Sequence, residues 1–171
     1  MTMESGEVYH SPLYLPPYDD ESISHYLGRW FRQEVVQTDA IILGKKLRLG
    51  KILWRWQNFY LNPEPTREQI AKIGGLMELE VERLLLMFPP ENEVSSPRPI
   101  RLCAFCYVEA PYHKLEWQFR STAGCERHQC RLLSKCPACE KPFAIPAQWE
   151  KGSCQGCGML FKSMTKRQKP Y

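Results

Sequence analysis

Four short pairs of metal-seeking side chains constrain this chain more than any other feature of its sequence: Cys103-x-x-Cys106, Cys125-x-x-His128, Cys136-x-x-Cys139 and Cys154-x-x-Cys157. Two residues between ligands let the backbone turn so that both side chains reach one ion, and thiolates joined by an imidazole are a donor set for tetrahedral zinc. Joining neighbouring pairs gives one site from Cys103, Cys106, Cys125 and His128, and another from Cys136, Cys139, Cys154 and Cys157. The intervening 18 and 14 residues suit zinc-ribbon or treble-clef-like loops. An interleaved arrangement, the first pair joining the third, uses the same residues. Cys130 is left over, either as a small buried thiol or as a replacement for His128 as fourth ligand. Sites filled by protein donors read as two structural zinc ions, since a catalytic zinc keeps an open position. Each such ion supplies about 10–16 kcal/mol, so the segment is expected to be unfolded without metal.

The chain has eight cysteines, and its first thirty residues show no basic start followed by an apolar run and cleavage site. That reads as a reducing, cytoplasmic compartment, where paired cysteines bind metal more often than they form disulfides. No stretch approaches the roughly 18 apolar residues of a membrane span. The formal charge of +4 falls to roughly +1 once the thiolates of the two sites are counted. Net charge therefore gives no mandate for nucleic-acid binding, but its distribution is uneven. Between Asp39 and Glu64 there is no acid, while Lys45, Lys46, Arg48, Lys51 and Arg55 all occur; Lys162, Lys166, Arg167 and Lys169 close the chain. Lys45, Lys46, Arg48, Lys51, Arg55, Lys166 and Arg167 are candidate phosphate contacts, with a solvated charged face as the plainer reading.

Residues 1–20 carry Tyr9, Tyr14 and Tyr18 among Pro12, Pro16 and Pro17, which favours an extended arm. Residues 21–88 read as a helical domain. Ile23, Tyr26, Leu27, Trp30, Phe31 and Val35 follow helical spacing behind Asp19 and Asp20. A second helical stretch starts after Thr38 with Ile41, Ile42 and Leu43, broken up afterwards by Gly44 and Gly50. Thr66 and Gln69 form a capping box for a third helix that Gly74 and Gly75 should end, and a fourth runs through Val81, Leu84, Leu85 and Phe88 to Pro89. Two short helices under a longer one predict a helix-turn-helix-type bundle. Residues 89–100 are a proline-containing linker, 101–161 hold the tandem zinc modules, and 162–171 form a basic tail. The fold class expected is mainly α with small α+β zinc modules.

No phosphate loop of the form G-x-x-x-x-G-K-[ST] and no H-E-x-x-H occurs. His113 and Cys130 lack a partner at catalytic spacing, so no catalytic residue, enzymatic activity or small-molecule substrate is expected. The run Trp54-Arg-Trp-Gln-Asn-Phe-Tyr60 places five large side chains in seven positions, more than one buried helix face needs. Any of Trp54, Trp56 and Phe59 suits a core, while Tyr60, Trp54 and Tyr14 are candidates to contact a partner. A DNA-reading regulator is the alternative, weakened by Glu78, Glu80 and Glu82 on the presumed recognition helix.

Several of these segments carry a family resemblance. Arg101-Leu-Cys103-Ala-Phe-Cys106, Trp117, Cys125-Glu-Arg-His128, Leu132, Leu133 and Cys136-Pro-Ala-Cys139 resemble the TniQ family of transposition proteins, as does Glu21-Ser-Ile-Ser24 with Leu27 and Arg29. Pro16-Pro-Tyr18 and Trp56-Gln-Asn-Phe-Tyr-Leu-Asn-Pro63 look like the short TniQ of type V-K CRISPR-associated transposons. The resemblance implies a non-enzymatic adaptor between an RNA-guided, nuclease-deficient effector and a DNA-bound filament of a TnsC-type AAA+ ATPase regulator. It further implies an approach to the effector's guide RNA, and it leaves room for a host factor. Cys130 departs from that family's pattern.

Overall fold

The computed structural model describes residues 10–171. Tyr9 and the rest of the expected arm's first nine residues lie outside them. The described chain is mostly helical, with isolated β-bridges in place of extended strands. Its helices are α1 (Ile23–Phe31), α2 (Ala40–Lys46), α3 (Ile52–Gln57), α4 (Arg67–Met77), α5 (Val81–Leu85) and α6 (Ala104–Glu109). Short 3-10 turns follow at Leu115–Gln118, Pro146–Gln148 and Phe161–Arg167. The β component expected of the zinc modules is thus reduced to single bridges such as Leu102 with Leu133 and Cys125 with Cys130.

The first helices start where side-chain caps allow. Ser22 accepts the His25 amide at the start of α1, Asp39 accepts the amides of Ile41 and Ile42, and Thr66 with Gln69 closes a reciprocal box on α4. Gly74 and Gly75 do not end α4, contrary to expectation. The helix runs on to Met77 and stops at Glu78 in the left-handed conformation, φ 55°. Gly74 serves a close approach instead: a Cβ there would lie 2.5 Å from the Leu79 carbonyl oxygen. Val35 is another departure, since α1 stops at Phe31, leaving Val35 exposed and Val36 buried.

Tyr26, Leu27, Trp30, Leu53, Trp56, Phe59, Ile70, Ile73 and Met77 form the centre of one core. Ile100, Leu102, Trp117, Trp149, Phe161 and Met164 pack around the cysteines as a second. Helix α1 lies against α3 and also against the Pro146–Gln148 turn of the second half. Ser24 donates to the Gln57 carbonyl at 2.7 Å and accepts the Ala147 amide at 3.2 Å. Gly28 permits this proximity, because a Cβ would meet the Ala147 carbonyl oxygen at 2.3 Å.

The proline-containing stretch between the halves is packed down. The buried Gln118 amide donates to the carbonyls of Ser96 and Pro99 at 2.7 and 3.1 Å and accepts the Arg101 amide at 2.7 Å. The last residues are no free tail either. Phe161 and Met164 are core members, Gln168 accepts the Ala104 amide and donates to the Arg131 carbonyl, both at 2.8 Å, and Pro170 bridges to Cys130. Among the described residues no helix is long and apolar enough to cross a membrane.

Candidate metal centres and an exposed aromatic face

Cys103 caps α6 and Cys106 lies in its first turn, so both sulfurs point to one side of the helix start. The second arm is a tight turn closed by the Cys125–Cys130 bridge, with Gln129 at φ 49°. Cys103, Cys106, Cys125 and His128 bring their donor atoms within 4.8 Å of one another. The imidazole Nδ1 lies 3.7, 3.3 and 3.5 Å from the sulfurs of Cys103, Cys106 and Cys125, and the latter two sulfurs are 3.5 Å apart. Tetrahedral zinc, with bonds of about 2.3 Å to sulfur and 2.0–2.1 Å to nitrogen, requires edges of about 3.8 and 3.6 Å. The donor set fits that ion. His128 Nε2–H donates to Glu109 Oε1 at 3.1 Å, which leaves Nδ1 for a metal.

The second cluster joins Cys136, Cys139, Cys154 and Cys157, again within 4.8 Å of one another. Sulfur pairs Cys136–Cys157 and Cys139–Cys154 are 3.7 and 3.6 Å apart, the Gly156 amide donates to Cys154 at 3.3 Å, and Cys157 is exposed. The pairing is sequential, not interleaved. Cys130 belongs to neither set of four; its sulfur lies 3.8 Å from that of Cys103, and burial pushes its thiol up to about 12.

Between the halves lies a buried polar seam that sequence reasoning did not single out. Glu21 is fully buried and accepts from His25 at 2.5 Å and from Arg29 at 2.8 and 2.6 Å. Burial opposes its ionisation, but the hydrogen bonds from His25 and Arg29 outweigh that and hold its carboxyl below the usual range. Burial lowers His25, so a neutral imidazole donates through Nδ1. Ser22 Oγ meets His113 Nδ1 at 2.9 Å, and burial drives His113 well below its ordinary value. Asp20 accepts from Lys114 at 2.5 Å and from Tyr112. The available signal was the four- and eight-residue spacing from Glu21 to His25 and Arg29.

The aromatic run divides cleanly. Trp56 and Phe59 are 2% and 1% exposed, whereas Trp54 and Tyr60 are 39% and 42% exposed. Phe59 adopts φ 65°, a costly left-handed turn for an aromatic residue, which sends its ring inward and Tyr60 back beside α3. Trp54 and Tyr60 stack with centroids 6.2 Å apart, and the Arg98 guanidinium stands 5.9 Å from the Tyr60 ring. A cleft of about 430 Å³ adjoins them, lined among others by Arg55, Phe88, Val94 and Arg120. Tyr14 is half-buried and stacks on His10 at 3.7 Å. Lys45, Lys46, Arg48 and Lys51 are exposed around α2 and α3, while Arg55 is half-buried and donates to the Asn62 carbonyl. Lys166 and Arg167 are exposed on the Phe161–Arg167 turn of the other half, so the basic candidates are divided between the halves.

A family model described as TniQ matches residues 12–132. That span takes in the helical half, the seam and the whole of the first metal cluster. No curated protein matches the chain.

Proposed function

This chain belongs to the TniQ family of transposition-associated proteins, and on that premise we propose that it acts as a transposition adaptor. It links an RNA-guided CRISPR effector of type V-K at the target site to the DNA-bound filament of a TnsC-type AAA+ ATPase regulator. Guide RNA and a host factor are further partners in this reading. Zinc in both clusters holds the metal-binding half in shape and performs no chemistry. The carrying observation is the Trp54–Tyr60 pair: two large aromatics stacked in the open, beside Arg98 and a cleft. Tyr, Trp and Arg are the residues enriched where interfaces concentrate their binding energy.

Reading DNA by sequence, through a helix-turn-helix pair of α4 and α5, has less support. Helix α5 is five residues long, Glu78 and Glu80 stand at the turn before it, and Glu82 within it pairs with Arg67. Phosphates would be repelled there. The test is co-sedimentation of the zinc-loaded protein with its cognate AAA+ regulator on DNA with ATP, beside binding to DNA alone. Retention only with the filament supports the adaptor. Tight binding to one DNA sequence without the filament, and no retention with it, replaces the adaptor with a DNA-reading regulator.

A further inference from the structure

The first metal cluster has more sulfur than it needs. Cys130 lies 3.8 Å from Cys103, the separation of about 3.8 Å expected between two thiolates sharing one tetrahedral zinc. A second observation points the same way. Cys125 and Cys130 face each other across an antiparallel bridge, with amide-to-carbonyl bonds of 2.8 and 3.3 Å in both directions. Residues directly opposite in such a pair project to the same face. Cys130 is thereby directed to the side on which Cys125 meets the cluster, and it abuts Cys103 there. His128 is by contrast the outermost of the four donors, the only one not buried, with Phe105 stacked on it at 5.5 Å and Glu109 holding its far nitrogen.

We infer that Cys130 is a reserve ligand of the first metal centre, taking the place of His128 when the imidazole leaves and converting a site of three thiolates and one imidazole to one of four thiolates. In that state Cys103, Cys106, Cys125 and Cys130 would hold the ion as four thiolates, the Cys130 proton having passed to water, and His128 Nδ1 would no longer be a donor. The His128 ring would keep its contact with Glu109. The inference rests on zinc filling the first cluster. The Cys136–Cys157 cluster in the same chain reports independently whether a preparation is loaded with metal.

Native mass spectrometry of the full chain counts bound zinc, and cobalt substitution distinguishes three-thiolate from four-thiolate coordination by its absorption. Wild type and Cys130→Ala should each hold two ions. His128→Ala should also hold two, with the cobalt spectrum of a second four-thiolate site, and His128→Ala/Cys130→Ala should fall to one. Phe105→Ala removes the stacked ring without removing a donor and should keep both ions and the wild-type spectrum. One ion in His128→Ala, while Phe105→Ala holds two, overturns the inference. So does one ion in Cys130→Ala, which would make Cys130 obligatory. Two ions in the double variant overturn it as well, because the fourth donor would then lie elsewhere. Failure to bind the AAA+ regulator leaves these counts unaffected.

Discussion

The helical half encloses Tyr26, Trp30, Trp56, Phe59 and a set of aliphatic side chains with no cysteine among them, whereas six of the fifteen buried core residues of the other half are cysteines. The first half can be held by apolar burial alone, at about 25 cal/mol per Å² removed from water. The second has Trp117, Trp149, Phe161 and few others, and it surrounds two clusters whose donors would repel one another as thiolates without a cation. Sequence dictates this contrast through side-chain type. A chain that places cysteine at core positions has exchanged apolar contact for coordination. What unites the halves is the polar seam of Glu21, His25, Arg29, Ser22 and His113, with α1 lying on the Pro146–Gln148 turn.

Metal removal carries the largest expected effect. Chelation of both ions withdraws about 10–16 kcal/mol per site, more than the roughly 5–15 kcal/mol that holds a typical domain together. The near-UV circular dichroism of Trp117 and Trp149 should collapse while far-UV helicity largely persists. Simultaneous loss of both signals would show that the helical half has no independent stability. Next comes Trp56→Ala, a cavity in the metal-free core, expected to cost about 3–5 kcal/mol in urea unfolding with both ions retained. Loss of zinc in that variant would erase the distinction between the two cores. Gly28→Ala acts on the seam. Its Cβ would lie 2.3 Å from a backbone oxygen and 2.5 Å from the Ala147 Cα, neither of which can swing away. About 1–3 kcal/mol of destabilisation should appear, and a stability equal to wild type would mean that α1 does not lie on this turn.

How much of this was legible in the sequence follows the same division. The metal ligands were legible because each pair is local: two residues between donors leave the backbone little choice. The capping box at Thr66 and Gln69 was legible for the same reason. Gly74 was misread because a helix-ending glycine and a glycine under a crossing carbonyl look alike until Leu79 is placed against it. Glu21 enters the sequence reading only through the Glu21-Ser-Ile-Ser24 resemblance, because its burial depends on the second half closing over it. The packing of Gln118 and Gln168 likewise joins residues far apart in the chain.

Acid should load the seam before it reaches its carboxylates. His113 is held neutral by burial, so below the ordinary histidine value the unfolded chain binds a proton that the folded one does not. Its contribution to stability is therefore full above about pH 6.5 and declines as pH falls, by about 1 kcal/mol at pH 5.5. His25 is lowered by burial and adds in the same direction. Glu21 and Asp20 are held below their usual range, so their contributions are lost only at lower pH, below about 4.5. Urea unfolding of zinc-saturated protein at pH 7.5 and 5.5 checks the order, with His113→Gln expected to flatten the slope. An unchanged slope in that variant would assign the pH dependence to His25 or to the metal ligands instead.

The smallest expected effect on stability belongs to the exposed aromatic pair. Trp54 and Tyr60 lie across the surface of the helical half, so Tyr60→Ala should change unfolding free energy by no more than about 0.5 kcal/mol. Its effect on association should be much larger. In the proposed adaptor role a central interface aromatic contributes about 2 kcal/mol or more, a loss of roughly 30-fold in affinity for the proposed AAA+ filament. Tyr60→Phe keeps the ring stacked between Trp54 and Arg98 and should retain most binding. The two readouts separate the alternatives. If Tyr60→Ala lowers the melting temperature by several degrees and leaves filament retention intact, the stack is packing for the α3 turn and not a docking face. If stability holds and retention falls, the left-handed conformation of Phe59 acquires a purpose, because it is the turn that leaves Tyr60 outside the core.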